Sequence, residues 1–203
     1  MTSSVWTMSG TVAAGMGRPS FLILHGYQGS GPGHWQTWLA GRLRAADAQV
    51  AYPDLPDPDQ PQLRAWLEAL AGELDALGEP PVVLCHSLAC LLWMHHAAAG
   101  GAPASRVLMV APPSPEIELD ALQSFLPPPL EPLHGVRLVC SDDDPYRPER
   151  ADVAYASLRL PTDVIPGRGH LNPDAGLGPW PEVEAWAREG AVPLMASGPE
   201  PAP

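Results

Sequence analysis

The sequence has little positive charge. Its 203 residues include 11 lysines and arginines against 23 aspartates and glutamates, a formal net charge of −12. Proteins that bind DNA, RNA or anionic membranes do so through clusters of basic side chains. We therefore expect neither nucleic acid nor a membrane surface as a partner of this chain.

Cysteines and long apolar segments are also scarce. The three cysteines, Cys85, Cys90 and Cys140, are odd in number and fall in predicted strands or beside them, which argues against a disulfide framework. No apolar run reaches the roughly 18 residues of a transmembrane helix. Residues 1–18 lack the basic start and apolar stretch of a signal peptide. Together these absences predict a cytoplasmic protein.

The length and the alternation of apolar patterns predict one α/β domain over residues 19–190, between flexible ends at 1–18 and 191–203. Helical spacing is found over 34–46, 61–78, 88–95, 116–125, 148–158 and 181–188, and strand-like runs over 21–25, 49–52, 82–86, 106–110, 136–140 and 162–166. Such alternation indicates a mostly parallel central sheet, of about six strands, with helices on both faces. The interval 112–135 is short and rich in proline, so no cap domain is expected.

Ser87 lies between a predicted strand and a predicted helix, at the apex of a sharp turn. This is the arrangement of the nucleophile elbow of serine hydrolases, which holds a weak nucleophile clear of the backbone. The usual pentapeptide is G-x-S-x-G, and Cys85 and Ala89 replace its glycines with other small residues. The alternative is that Ser87 only caps the helix that follows.

A carboxylate and a base are expected after later strands, in the order Ser, Asp, His. Asp144, followed by proline in a rigid turn, is the predicted acid, and His170, preceded by glycine in a loop, is the predicted base. Both follow strand ends, where open α/β sheets place their ligands. Two alternatives for residues 142–144 are a solvated acidic turn and a weak Ca²⁺ site, which needs roughly six oxygen ligands.

The first strand is followed by a glycine-rich loop, residues 26–33. The N–H groups of Tyr27 and Leu88 are the predicted oxyanion-hole donors. Gly26 and Trp35, near the two ends of this segment, are the expected substrate contacts. A phosphate-binding loop is the rival interpretation, but neither the P-loop nor the dinucleotide-binding pattern is complete here.

Several motifs together resemble the YdeN-like small serine hydrolases, the group that includes human retinoblastoma-binding protein nine. The resemblance covers roughly residues 20–188 and rests on the segments HGYQGSGPGHW (25–35), HSLAC (86–90), SDDDPY (141–146), GHLN (169–172) and GLGPWP (176–181). It implies an α/β-hydrolase fold with Ser87 as nucleophile, Asp144 as acid and His170 as base. Ala89 departs from the glycine usual in the family.

The sequence therefore predicts a serine hydrolase that cleaves a small ester, thioester or amide through an acyl-enzyme, with no metal and no organic cofactor. The expected partner is a small-molecule acyl substrate, and the oligomeric state is left open, a homodimer included. Two other hypotheses are a protein-interaction scaffold that keeps the fold, and a cysteine hydrolase that uses Cys85 or Cys90.

Overall fold

The computed structural model describes residues 18–147 and 149–195, so predictions for residues 1–17, 148 and 196–203 lie outside the described residues. Six strands form one sheet in the order β2-β1-β3-β4-β5-β6, and every neighbouring pair is parallel. The strands are β1 (Ser20–Leu24), β2 (Gln49–Ala51), β3 (Val82–His86), β4 (Arg106–Val110), β5 (Val136–Ser141) and β6 (Thr162–Ile165).

Five α-helices and three short 3₁₀ helices connect the described strands or follow them. The α-helices are α1 (Trp35–Ala45), α2 (Leu63–Leu77), α3 (Leu88–Ala98), α4 (Ala151–Ala154) and α5 (Pro181–Glu189). The 3₁₀ helices are Asp120–Phe125, Ala156–Leu158 and Pro173–Ala175. None of the helices in residues 18–147 and 149–195 is long and apolar enough to cross a membrane.

The sheet has a hydrophobic core on each face. Phe21 and Ile23 of β1 pack with α1 and α5, whereas Leu22 and Leu24 pack with α2 and α3. Successive side chains of a strand point to opposite faces, so a strand covered on both faces must be apolar at every position. The predicted fold class, a parallel α/β sheet between two layers of helices, is confirmed.

The order of the strands places a crevice at the carboxyl ends of β1 and β3. From β1 the chain crosses to β2 on one side, and from β3 it crosses to β4 on the other side. Such a reversal opens a crevice where ligands of α/β proteins bind. All the predicted site residues except Trp35 follow β1, β3, β5 or β6 at this edge.

Two predicted helices are shorter in the structure. The helix expected over 148–158 is limited to α4 and the 3₁₀ turn Ala156–Leu158, and it ends at Arg159, which is left-handed with φ 51°. The helix expected over 116–125 is only the 3₁₀ helix Asp120–Phe125. Residues 111–135 contain no other helix or strand, in agreement with the absence of a cap domain.

The domain extends beyond the predicted boundary at residue 190. Leu194 is fully buried against the core that contains α1 and α5. The carbonyl of Val192 accepts a hydrogen bond from Arg137 Nη1 at 2.7 Å. The prediction that the flexible tail begins at residue 191 is therefore wrong for residues 191–194, because an apolar side chain and a backbone carbonyl attach this segment to the sheet.

Candidate active site

Ser87 has the strained backbone of a nucleophile elbow. Its φ of 54° and ψ of −122° lie in a region that residues with a side chain rarely adopt. The strand hydrogen bonding continues to this residue, since its N–H donates to the carbonyl of Val110 at 2.9 Å. Cys85 and Ala89 are fully buried where strand and helix pack around the turn. Ser87 makes no side-chain capping bond to α3, so the helix-cap alternative is wrong.

The structure brings Ser87, His170 and Asp144 together. His170 Nε2 is 2.9 Å from Ser87 Oγ, and His170 Nδ1 is 2.9 and 3.0 Å from the two oxygens of Asp144. A carboxylate can only accept, so Nδ1 carries the proton and Nε2 is free to accept from the serine hydroxyl. The rings of Tyr146 and His170 pack in a T-shaped arrangement, with 4.5 Å between centroids.

The other two aspartates of the turn hold the loop that carries His170. Asp142 accepts a hydrogen bond from the N–H of Gly167 at 2.8 Å, and Asp143 accepts one from the N–H of Gly169 at 2.7 Å. Asp143 also accepts from Ser141 Oγ at 2.6 Å, and these bonds lower the pKa of its carboxyl. In the described part of the chain no three histidine, cysteine or acidic side chains are grouped as metal ligands would be.

Arg147 is a buried partner of the candidate acid that sequence reasoning missed. The side chains of Arg147 and Asp144 are each 1 % exposed, and Arg147 Nε lies 3.4 Å from Asp144 Oδ2. Arg147 also donates to the carbonyl of Ser141 at 3.0 Å. The spacing of three residues after Asp144 is the only sequence signal for this contact. The arginine braces the turn and occupies one side of the carboxylate.

Two further histidines support the site in neutral form. His86 Nε2 donates to the carbonyl of His170 at 3.0 Å, which fixes the backbone of the candidate base. Burial holds the pKa of His86 well below its usual range and lowers that of His34 to about 4. The rings of His34, His86 and His170 follow one another, with centroids 4.8 and 5.0 Å apart.

His25 is structural, as its position at the first strand–loop corner predicts. Its Nδ1 donates to the carbonyl of Gly26 at 2.8 Å, and its Nε2 accepts from the N–H of Leu55 at 2.8 Å. Burial lowers the pKa of His25. Both ring nitrogens are therefore occupied by the backbone, and the ring fixes the end of β1 beside Ser87.

The candidate oxyanion donors belong to the first turn of α3 and to the loop after β1. Leu88 is the first residue of α3, so its N–H has no acceptor within the helix. Tyr27 lines the pocket and follows Gly26, where an added Cβ would lie 2.7 Å from Ser87 Cβ. Gly26 thus lets the loop after β1 approach the elbow. Gly26 itself does not line the pocket, whereas Tyr27, Gln28 and Gly29 do.

Trp35 does not reach the pocket. It is fully buried, its Nε1 donates to the carbonyl of Leu171 at 3.0 Å, and its ring packs against Trp180 at 5.7 Å. The expectation that Trp35 contacts substrate is therefore wrong. The neighbouring His34 lines the pocket instead, because Trp35 points into the core shared by α1 and α5.

The serine opens into a pocket of about 270 Å³ with two unlike walls. One wall is apolar and comes from the segment between β4 and β5, with Pro113, Ile117, Leu119 and Leu122. The other wall is polar and comes from the loops after β1 and β6, including Gln28, Ser30, His34, Asn172 and Asp174. Sequence reasoning missed the apolar wall, although apolar and acidic residues alternate over 116–120, as in a segment buried on one side.

The cysteines cannot replace the serine. Cys85 and Cys90 are fully buried, and desolvation raises the pKa of both thiols, which stay protonated near neutral pH. A cysteine nucleophile requires an accessible thiolate. The cysteine-hydrolase hypothesis is therefore wrong for these two residues.

Comparison with known proteins agrees with this geometry. Residues 21–188 match the serine hydrolase family. The chain belongs to this family. The YdeN protein of Bacillus subtilis (strain 168) is 40 % identical over 68 residues, which are 34 % of this chain and 36 % of that protein. The match in sequence thus spans about a third of that relative.

Solved structures extend the likeness to most of the chain. The crystal structure of the ydeN gene product of B. subtilis has a TM-score of 0.71 at 25 % identity, and the match covers 82 % of this chain and 95 % of that one. A YdeN-like hydrolase of Pectobacterium atrosepticum has a TM-score of 0.69 at 23 % identity, over 87 % and 94 % of the two chains, and shows the same fold. The predicted membership of the YdeN-like small serine hydrolases is confirmed.

Proposed function

We propose that this serine hydrolase cleaves small carboxylic esters, thioesters or amides through a Ser87–His170–Asp144 triad, esters being the favoured class. The observation that carries the proposal is the 2.9 Å contact between His170 Nε2 and the hydroxyl of a serine in the elbow conformation. A serine that only supports the fold does not need a strained backbone and a base aligned by a buried carboxylate.

In the proposed first step, His170 Nε2 takes the proton of Ser87 Oγ while the oxygen attacks the substrate carbonyl carbon. The negative charge that develops on the carbonyl oxygen is received by the N–H groups of Leu88 and Tyr27. The bond to the leaving group then breaks, and His170 returns the proton to that group. Asp144 holds the imidazole in the required tautomer and stabilises its charged form.

In the second step, water replaces the leaving group. His170 takes a proton from the water, the hydroxide attacks the acyl carbon, and the acid product leaves Ser87 with its proton restored. No step of this proposal uses a metal or an organic cofactor. The cytoplasmic location remains part of the proposal and is supported by the three buried, free thiols.

A fluorophosphonate probe tests the proposal, because it reacts with an activated serine next to a base. We expect covalent labelling of Ser87, located by mass spectrometry, and Ser87→Ala should lose labelling and lower esterase activity by about 10³-fold or more. Ser105→Ala, a substitution at an exposed position outside the pocket, is the control and should behave as the wild type. Labelling that persists in Ser87→Ala would contradict the proposal and favour the scaffold hypothesis.

A further inference from the structure

The described residues that line the pocket include an acidic side chain but no arginine or lysine. Within the part of the chain that the structure describes, Asp174 is the acidic residue that lines the pocket, and no arginine lines it. The sequence contains no lysine. Arg147 lies behind Asp144, where it is buried and already bonded. The lining histidines His34 and His86 are uncharged near neutral pH, since burial lowers their pKa values.

Acidic residues beside the apolar wall of the pocket add to this negative charge. Ile117 and Leu119 line the pocket, and the acidic residues that alternate with them, Glu116, Glu118 and Asp120, are exposed. Exposed acidic residues therefore alternate with the residues of the apolar wall, in a segment (116–120) that we call the lip of the pocket, and Asp174 lies on the opposite wall. In a molecule of net charge −12, such an arrangement attracts cations to the mouth and repels anions.

His34 adds a polar group that can bind a ligand. The residue is 4 % exposed and lines the pocket, and its Nδ1 accepts a hydrogen bond from the N–H of Gln36 at 3.2 Å. The single proton of the neutral ring is therefore on Nε2. No group in the described part of the chain is bonded to that nitrogen. An N–H in the wall of the pocket favours a ligand with an acceptor oxygen.

We propose, on the basis of the proposed function, that the site selects substrates by charge: a short apolar acyl group with a cationic leaving group. The acyl group would pack on the apolar wall, and the leaving group would lie near Asp174 and the carboxylates of the lip. Anionic esters and polyanionic thioester carriers would be poor substrates, because they meet like charge at the mouth and find no arginine among the described lining residues.

Three thioacetates that differ in charge test this selection: those of thiocholine, of its uncharged carbon isostere, and of mercaptopropionate. The release of thiol gives kcat/KM for each at low ionic strength. We expect the cationic substrate to exceed the anionic one by about 10-fold or more. The ratio should shrink at roughly 0.5 M salt, where charges more than a few ångströms apart are screened.

Substitution of one carboxylate assigns the effect to the pocket. Asp174→Asn should lower the cation-to-anion ratio by about threefold or more. Asp75→Asn removes the same charge from an exposed position of α2 outside the pocket and should leave the ratio unchanged. If the two variants had the same cation-to-anion ratio, Asp174 would act on substrate selection no more than any other surface carboxylate. That result would overturn the assignment of the selection to the pocket.

The uncharged fluorophosphonate probe, used on the same preparations, separates this proposal from the one on which it rests. Labelled enzyme that hydrolyses the anionic thioacetate as fast as the cationic one, or faster, would overturn the charge selection alone. An enzyme that is neither labelled nor active on any of the three would overturn both proposals.

Discussion

At the scale of single residues, Asp142, Asp143 and Asp144 have different partners although they are consecutive. The first two accept hydrogen bonds from backbone N–H groups of the loop before His170, and only Asp144 contacts the imidazole. The turn formed by Tyr146 and Arg147 adds two donors to Asp144, the N–H of Tyr146 at 3.0 Å and Arg147 Nε. One carboxylate thus orients the candidate base, and its neighbours hold the loop.

Because Asp143 and Asp144 have different partners, we expect unequal effects when each is replaced by asparagine. Asp144→Asn should lower kcat on the order of 10⁴-fold, because an amide beside Nδ1 favours the wrong tautomer of His170. Asp143→Asn should lower kcat much less, since it weakens only the bonds to Gly169 and Ser141. Steady-state kinetics on a short-chain ester measure both. A greater loss in Asp143→Asn would place the acid one residue earlier than the geometry does.

At the scale of structural elements, the end of β1 and the elbow between β3 and α3 approach closely. A Cβ added at Gly26 would lie 2.7 Å from Ser87 Cβ and 3.1 Å from the carbonyl oxygen of His86. Both neighbours belong to the elbow, whose backbone is already strained. Gly26→Ala must therefore move the elbow or the loop that carries the Tyr27 N–H.

We expect Gly26→Ala to lower kcat/KM by about 100-fold, because a shift of about 1 Å in reacting groups has that effect. Overpacking should also lower the free energy of unfolding by about 1–3 kcal/mol. Gly41→Ala is the matched control, since its Cβ would meet open space on α1, and it should be neutral or slightly stabilising. Wild-type kinetics in Gly26→Ala would contradict the close approach. Urea unfolding and ester hydrolysis measure the two effects.

At the scale of the whole molecule, the single short crossover between β4 and β5 limits the size of the pocket. The cavity of about 270 Å³ lies at the lower end of the range of small-molecule pockets, roughly 300–1,000 Å³. An enclosed acyl chain would gain about 0.8 kcal/mol per buried methylene, but this pocket is too small to enclose a long one.

We therefore expect kcat/KM to peak at short acyl groups in a series of p-nitrophenyl esters from acetate to palmitate, without activation by lipid droplets. Ser87→Ala provides the background rate for each ester. A value of kcat/KM that keeps rising beyond octanoate would mean that the walls open into a longer channel.

The buried neutral histidines also make the folded molecule sensitive to acid. The pKa of His34 falls to about 4 on folding, whereas an unfolded histidine has a pKa of about 6.5. Between these values the unfolded chain binds more protons, so the free energy of unfolding decreases as the pH falls. We expect His34 alone to remove about 2 kcal/mol between pH 7 and pH 5.

Urea unfolding at the two pH values measures this loss. His134→Gln, at an exposed histidine, should keep the same pH dependence as the wild type, and His34→Gln should weaken it. Equal unfolding midpoints at pH 7 and pH 5 in the wild type would show that His34 titrates normally in the fold.

The fold class follows from the local pattern of the chain, and the same pattern singles out the three residues that the structure places together. A strand that is apolar at every position requires a sheet covered on both faces. Parallel strands bring their carboxyl ends to one edge of that sheet. Ser87, Asp144 and His170 each follow such an end, so their proximity is a consequence of local pattern and connectivity.

Which of two adjacent residues faces the pocket depends on packing between distant parts of the chain, and the local pattern does not contain it. His34 and Trp35 are adjacent at the start of α1, and the packing of Trp35 against Trp180 and Leu171 turns His34 toward the serine. The burial of Arg147 has only a weak signal in the sequence, its spacing from Asp144, because arginine is almost never fully buried without a partner. Its partners, Asp144 and the Ser141 carbonyl, lie three and six residues before it in the chain. Only the fold of the turn after β5 brings them onto the guanidinium, and an irregular turn has no periodic signal in the sequence.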